Sequence, residues 1–439
     1  MKTPSIAGKL LRSFLKGLAW LLLGLLILML TVLLPAFFRH FVTFPQLERE
    51  LRELQLQRRQ ARRVIPLQDY KGVLHAHSYW SHDSRGVLAE IIPAAQRADI
   101  DFIFFTDHPR SDVDCFPRSY NGMYDGVLII PGAEKLRLLV WPLDTLCINW
   151  RANRDTLIRG LVQRGGLVFY AHSEKAHDWG NSDFQGMEIY NIHTDIKDEV
   201  MWKLLPDLIV NKGRFHRWIY RRIFDEQRTI LALWDSLNTH RRVVGISAND
   251  AHNNQNIRAR RLSDGLVEWV GPNADTWRIG KPAWWQQWLF SEPDTSGWIF
   301  KWEIDPYFES FRFVNTHILA DTLSPASLAH HLKGGHAFIA FESLAPADGF
   351  QFYATADDQV AAIMGDSLRF RDGLTLHVTS PLPGRIRFLR NGQQISQHDK
   401  TYSAGLDVQQ PGVYRAEVAI WFNGRWLPWI YANPVHIFQ

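Results

Sequence analysis

Between about residues 70 and 345 the chain repeats one pattern: a short apolar run, a polar end, then a stretch with helical spacing. KGVLHAHS, DFIFFTDH, GVLIIPGAEK, LRLLVW, GGLVFYAHSEK, GMEIYN and RVVGISANDAH each predict a buried strand ending in polar side chains. Short, nearly continuous apolar runs suit strands covered on both faces. LAEIIPAAQRAD and RDTLIRGLVQRGG, lying between them, predict amphipathic helices. Strands alternating with helices predict parallel βα units, and barrels of such units build their sites at the carboxyl ends of the strands.

The texture changes near residue 346. FQFYATA, LTLHVTS, GRIRFLRNGQQI, GVYRAEVAIWF and PVHIF alternate in polarity and are divided by Asp-Gly, Pro-Gly and Asn-Gly turns. They predict a small antiparallel β-sandwich. Before it, LSPASLAHHLKGGHAFIAFE predicts a helix begun by Ser324 and Pro325 and stopped at Gly334-Gly335, then a strand. The segment from 193 to 243 is helical in pattern and basic in the middle; it suits a lid, a contact with lipid headgroups or a packing layer on the barrel, and the packing layer is preferred.

Near the N-terminus, no charged residue occurs from Gly17 to Phe38. A helix needs ~20 apolar residues to cross the hydrocarbon core. The run ends in Pro-Ala-Phe-Phe-Arg without a small-residue cleavage pattern, which predicts an uncleaved anchor. Leu47, Leu51 and Leu54 then recur at helical spacing among charges and predict a solvated juxtamembrane stalk. The expected organisation is a basic cytoplasmic segment at 1–16, a transmembrane helix at 17–38, the stalk at 39–64, a catalytic β/α domain at 65–345 and the β-sandwich at 346–439.

Charge adds little to this picture. The 439 residues carry a net charge of +4. Lys2, Lys9, Arg12 and Lys16, with Arg58, Arg59, Arg62 and Arg63, crowd around the apolar run as membrane flanks. No nucleic-acid partner is expected. The first four favour a cytoplasmic N-terminus, against competition from Arg39, Arg49 and Arg52. The body is therefore expected on the periplasmic or extracellular side of the plasma (inner) membrane. Cys115 and Cys147 allow one disulfide. The 18 tryptophans are expected mostly in the core; the clusters WWQQWLF and SGWIFKW suit either a membrane interface, where tryptophan is enriched, or the core, and the core is preferred.

The strand ends collect metal-ligating residue types. They carry His75 and His77, with His82 and Asp83 in the following loop, then Asp107 and His108, Glu134, His172 and Glu174, Glu188, and Asp250 and His252. In His-x-His and Asp-x-His the two side chains lie two apart on an extended strand and share a face. Imidazoles and carboxylates without a thiolate suit zinc, manganese or iron. A single histidine at a strand end is usually structural. Repetition at nearly every strand end is not, because such a cluster is costly to bury uncompensated.

HAHS…SHDS, FFTDH, PGAE, YAHSEK and NDAHN, in this order, resemble the successive motifs of the PHP (polymerase and histidinol phosphatase) phosphoesterases over about residues 70–345. The resemblance implies a distorted seven-stranded β/α (TIM-like) barrel holding two or three Zn, Mn or Fe ions. It implies hydrolysis of phosphate mono- or diesters by water that the ions make acidic. Carried over residue by residue, the ligands are His75, His77, Asp83, His108, Glu134, His172, Asp250 and His252. Asp83 is preferred to its neighbour His82, which becomes a candidate acid for the leaving group. Asp107 is expected to orient a liganding imidazole and to assist catalysis. Arg85, Lys175, Arg258 and Arg260 are candidate phosphate contacts, the last two the stronger. His330, His331 and His336 are expected to be bystanders. The expected partners are a small phosphate ester and the lipid bilayer. A metal-dependent amidohydrolase and a non-catalytic membrane metal sensor are the rival readings. The amidohydrolase would more often require a bridging lysine.

Overall fold

The computed structural model describes residues 6–115, 119–144, 147–198 and 201–439; Lys2 lies outside them. It is a mixed α/β assembly with a sheet-rich C-terminal part and one long apolar N-terminal helix. Strands β1 (Gln68–Ala76), β2 (Phe102–Phe105) and β3 (Val127–Ile130) run parallel in one sheet. A second sheet contains β4 (Ala133–Lys135), β5 (Leu138–Trp141), β6 (Leu167–Tyr170), β7 (Gly186–Asn191) and β8 (Val244–Ala248). Here β6, β7 and β8 are parallel, whereas β5 runs antiparallel to both β4 and β6.

The expectation of one parallel unit per apolar run is thus corrected in two places. GVLIIPGAEK breaks into β3 and β4, which belong to different sheets, and LRLLVW turns back as an antiparallel strand. The link from β4 to β5 is only Leu136 and Arg137, both in left-handed backbone, and so short a link admits only an antiparallel return. The predicted helices form at Leu88–Arg97 and Arg154–Gln163, the latter capped by Asn153, which accepts from the Asp155 and Thr156 amides.

A small antiparallel sheet follows β8, made of β9 (Asn256–Arg261), β10 (Val267–Val270), β11 (Thr276–Gly280) and β12 (Trp298–Glu303), in the order β11-β10-β9-β12. The chain then returns through β13 (Asn315–Ala320), which pairs antiparallel with β1, and β14 (Ala337–Ala340). The helix between them, Pro325–Gly334, starts and stops as predicted, with Ser324 capping it and Gly335 in left-handed backbone. Beyond residue 346 buried and exposed positions alternate as expected, but LTLHVTS and GRIRFLR are one strand, Thr375–Arg390, that runs through Pro383-Gly384 without the expected turn, and the C-terminal strands do not close off by themselves. Strand β15 (Arg425–Ala432) pairs with β14, so the C-terminal strands continue the sheet that contains β1.

The N-terminal helix runs from Ile6 to Gln55 through π-helical turns at Met29–Leu33 and Arg39–Thr43, and only 6% of its most apolar window is buried. Its last part is not the solvated stalk expected. Phe44, Leu51 and Leu54 are buried in the core of the C-terminal strands, Glu48 accepts from the Trp218 indole at 2.8 Å, and Gln55 donates to the Leu344 carbonyl at 3.0 Å. The leucine stripe had a partner surface that is distant in sequence. Helices α1 (Met201–Val210) and α2 (Lys212–Ile223) pack where the N-terminal helix leaves its apolar stretch. There Arg39 donates to Asp207 at 2.9 Å and Asn211 donates to the Ala36 carbonyl at 3.1 Å.

A buried charge network ties β1 to β13. Fully buried His317 contacts Asp69 at 2.8 Å and Glu342 at 3.3 Å, and Lys71 pairs with Glu342 at 3.1 Å. Burial opposes the imidazolium, but Asp69 and Glu342 outweigh it and raise the His317 pKa to about 10. A raised pKa stabilises the fold fully below the unfolded value of 6.5, and that contribution is lost as pH rises through about 10. His317→Gln is therefore expected to cost about 3–5 kcal/mol near neutrality by leaving buried carboxylates under-compensated. It should also flatten the alkaline limb of the melting temperature between pH 6.5 and 10. Parallel pH–melting curves for variant and wild type would refute this.

Candidate metal centre

Backbone pairing brings four strand ends to one point. The His77 amide donates to the Ala251 carbonyl at 2.9 Å, just beyond β8, and the Thr106 amide donates to the Ala76 carbonyl at 2.9 Å. Isolated parallel bridges join Ala76 to Ala251 and Asp107 to Ala133. They connect the two sheets at the carboxyl ends of β1, β2 and β8. Apolar residues fix this register: Val73, Leu74, Phe104, Phe105 and Ile246 are fully buried, so a one-residue slip would turn the histidines into the core.

The ligand-type side chains converge there in overlapping groups. His75, His77, Glu134 and Asp250 form the deepest. The two histidine Nε2 atoms are 3.1 Å apart. Glu134 Oε2 lies 3.1 Å from His75 and 3.5 Å from His77, and Asp250 Oδ1 lies 3.2 and 3.3 Å from the same atoms. A tetrahedron with zinc–nitrogen bonds of 2.0–2.1 Å has edges of about 3.4 Å, close to this spacing. A second group joins Asp83, His108 and His252 to His77, with Asp83 Oδ2 at 3.2 Å from His252 and 3.5 Å from His108. Glu134 reaches further with its other oxygen, which lies 3.1 Å from His172 Nε2. Asp250, His252 and His193 make a third group.

The imidazoles are held from behind. His75 Nδ1 contacts Glu188 at 2.6 Å, His77 Nδ1 contacts Ser81 Oγ at 3.3 Å, His108 Nδ1 contacts the Glu134 carbonyl at 3.0 Å, and His252 Nδ1 contacts the Asp250 carbonyl at 2.9 Å. Each of these leaves Nε2 to face the cluster. His172 and Asp250 have φ of 52° and 47°. Left-handed backbone in such residues costs about 1 kcal/mol or more, and strain of this kind collects at functional sites.

Electrostatics also favours a bound cation. Burial acts to raise Asp250 and Glu134, yet the surrounding imidazoles, His75 foremost, hold both carboxyls well below their ordinary range. Burial likewise opposes charge on His172 and His252, but their carboxylate neighbours raise both to about 9. His77 is driven well below 6.5 by burial first, then by the other imidazoles. The carboxylates thus demand positive charge that protons must otherwise supply. Buried Asp250 Oδ1 faces only the Nε2 atoms of His75 and His77 and Nδ1 of His252 at 3.2–3.3 Å, and among the described residues none makes a well-aligned hydrogen bond to it. The donor set fits divalent ions, which would replace those protons.

All eight expected ligands are brought together. His82 is exposed beside His108, with ring centres 5.1 Å apart. Lys175 lies at the rim, exposed and 3.8 Å from Glu174. Other expectations are corrected. Asp107 orients no imidazole; it accepts from the Ser78 amide at 2.5 Å and hydroxyl at 2.8 Å, fixing the loop after His77. The imidazole-orienting carboxylate is Glu188. Arg258 is buried between Glu90 and Glu303, and Arg260 is held by Glu268, so carboxylates of the small sheet and of Leu88–Arg97 already occupy both guanidiniums. Arg85 donates to the Ala274 carbonyl at 3.1 Å and ties the small sheet to the ligand loop. His331 and His336 lie apart from the cluster, 2.8 Å from one another, and contact Asp321 and Asp366 respectively. His193 is absent from the predicted ligands. It follows β7 by two residues, and continuing GMEIYN to GMEIYNIH would have revealed it.

No family model and no curated protein matches the chain. Among solved structures, a two-domain Bacteroides vulgatus protein described as containing a predicted PHP-like metal-dependent phosphoesterase aligns with 86% of this chain and 99% of its own. The identity is 13% and the TM-score 0.37. Bacteroides uniformis beta-glucuronidase 2 aligns with 84% of this chain and 46% of its own at 8% identity and a TM-score of 0.16. At these scores the chemistry rests on the geometry of this chain itself.

Glu188→Ala is expected to weaken zinc binding about 10- to 100-fold, because His75 loses the partner that orients its ring. Competition against a chromophoric chelator measures this, and unchanged affinity would remove Glu188 from the centre.

Proposed function

We propose that the chain is a membrane-anchored, metal-dependent phosphoesterase that hydrolyses phosphate mono- or diesters, with its strands closing a distorted barrel of PHP type. The observation that carries this reading is the convergence of eight imidazole and carboxylate side chains, drawn from successive strand ends, in overlapping groups that share His77, with His172 joined through Glu134. His75, His77, Glu134 and Asp250 would hold one ion. Asp83, His108 and His252 would hold a second together with His77, and His193 with Asp250 and His252 a third, while His172 reaches the deep group through Glu134. When bound, such ions supply Lewis acidity toward phosphoryl oxygens and the means to ionise water near neutral pH.

The chain's own residues would do the rest. Ser78 and Ser81, fixed by Asp107 and by the backbone, keep the loop after His77 closed over the deep group. His82, exposed at the mouth, donates a proton to the departing oxygen. Lys175 at the rim meets the outer phosphate oxygens as a point charge. The amidohydrolase reading is disfavoured because Lys135 pairs with Asp112 and Lys175 with Glu174, and neither enters the ligand cluster.

Sidedness has its own support. Val113–Cys115 and Cys147–Asn149 pair antiparallel with Cys115 opposite Cys147, and Cys147 is disulfide-bonded. Disulfides persist in oxidising compartments. This favours a body outside the cytoplasm, held by the N-terminal helix. Protein taken from intact cells should give no maleimide labelling until it is reduced; free thiols would place the body in the cytosol.

The full chain is the correct sample, since residues 44–54 complete the core. Purified in detergent without chelator, it is expected to carry two or three Zn, Mn or Fe ions. It should hydrolyse p-nitrophenyl phosphate or its bis-ester, and His77→Ala and Asp250→Ala should reduce turnover to background. Stoichiometric metal without turnover on a broad phosphate panel would refute the phosphoesterase.

A further inference from the structure

The segment Thr276–Phe290, which is edge strand β11 and the turn that follows it, exposes large apolar groups for which the core was only the preferred place. Trp284 and Trp288 are 77% and 85% exposed, and Trp277, Ile279, Trp285 and Leu289 are also exposed. Within it, Arg278 and Lys281 are the ionisable residues; no acidic side chain occurs. Proteins in water rarely leave such a patch uncovered. Tryptophan, an apolar ring with one polar N–H, concentrates where hydrocarbon meets headgroups, and nearby cations favour anionic lipids.

We propose that Trp277, Trp284, Trp285 and Trp288 form a surface that docks on the phospholipid bilayer crossed by the N-terminal helix. The inference rests on the anchored reading given above. Its support is the chain of contacts from that helix to the patch. Where the apolar stretch ends, Arg39 bonds Asp207, His40 lies 2.9 Å from Asn211, and the Asn211 amide holds the Ala36 carbonyl. These contacts pin α1 and α2 at the point of membrane exit. On α1, Leu205 and Ile209, one turn apart, are exposed beside the apolar stretch. From the start of α2, Lys212 donates to the Glu303 carbonyl at 2.6 Å and His216 contacts the Ile304 carbonyl at 2.8 Å. Both hold β12, an edge of the small sheet. The opposite edge, β11, carries Trp277 and lies three strand spacings away, about 14 Å. The patch is therefore tethered to the place where the helix leaves the hydrocarbon. The small sheet starts four residues after His252, so docking it would hold the rim of the metal centre near the headgroups.

The test uses the full chain reconstituted in phosphatidylcholine–phosphatidylglycerol vesicles containing a lipid spin-labelled near the headgroup, with tryptophan emission as the readout. Trp20 in the span supplies a constant background. The triple variant Trp284→Ser, Trp285→Ser, Trp288→Ser should lose a component of the lipid-quenched emission, and Trp288→Ser alone should lose part of it. Equal quenching in wild type and in variants that melt at the wild-type temperature overturns the docking surface and leaves the anchor standing. Wild-type chain that fails to float with the vesicles overturns the anchor and the docking together. If the patch is shielded from iodide in detergent and the molecular mass is doubled, a second copy covers it and the lipid assignment fails.

Discussion

The structure turns on carboxylates that are buried and must remain ionised. Glu134 and Asp250 sit almost wholly out of water, and both are held well below the ordinary range by the imidazoles around them. An uncompensated buried charge costs far more than a packing defect. The imidazoles supply positive charge at the oxygens of these two side chains: His75, His77, His108 and His172 approach Glu134 with Nε2, and carbonyls, a serine and Glu188 hold the rings from behind. The same arrangement that would be a liability in an apolar core is what divalent ions require.

That demand explains the backbone. The chain places His172 and Asp250 in left-handed conformations and joins two sheets through short bridges beside the ligands. Both features sacrifice regularity for placement. Tyr307 reinforces them from behind, its buried hydroxyl donating to the His77 carbonyl at 2.7 Å. Further out, the arginines expected to meet phosphate instead neutralise Glu90, Glu303 and Glu268 and so fasten the small sheet to the body. Under the proposed phosphoesterase reading, the substrate contacts left to the chain are His82 and Lys175.

The N-terminal helix and the C-terminal strands form one mechanical unit with this centre. The helix end fills the C-terminal core with Phe44, Leu51 and Leu54, and β14–β15 pairing runs that core into the sheet holding β1. A body fastened this way has a fixed height above the residues that leave the apolar stretch. A mobile stalk would not give it one.

The sequence by itself determined most of the strands that end in imidazoles and carboxylates, the eight candidate ligand residues that converge and the long apolar helix, because these are local facts. Strand alternation puts His75 and His77 on one face whatever lies around them, and a run of uncharged residues from Gly17 to Phe38 has its hydropathy without any partner. What tertiary structure alone decided were matters of partnership. A carboxylate becomes an imidazole's anchor or a loop's clasp according to what faces it, which separates Glu188 from Asp107. An arginine is free or spent according to the acids across the sheet, which removed Arg258 and Arg260. A leucine stripe is solvated or buried, and a tryptophan cluster covered or bare, according to surfaces hundreds of residues away. Periodicity carries no information about such pairings, since each is set by contacts between segments that the linear pattern describes one at a time.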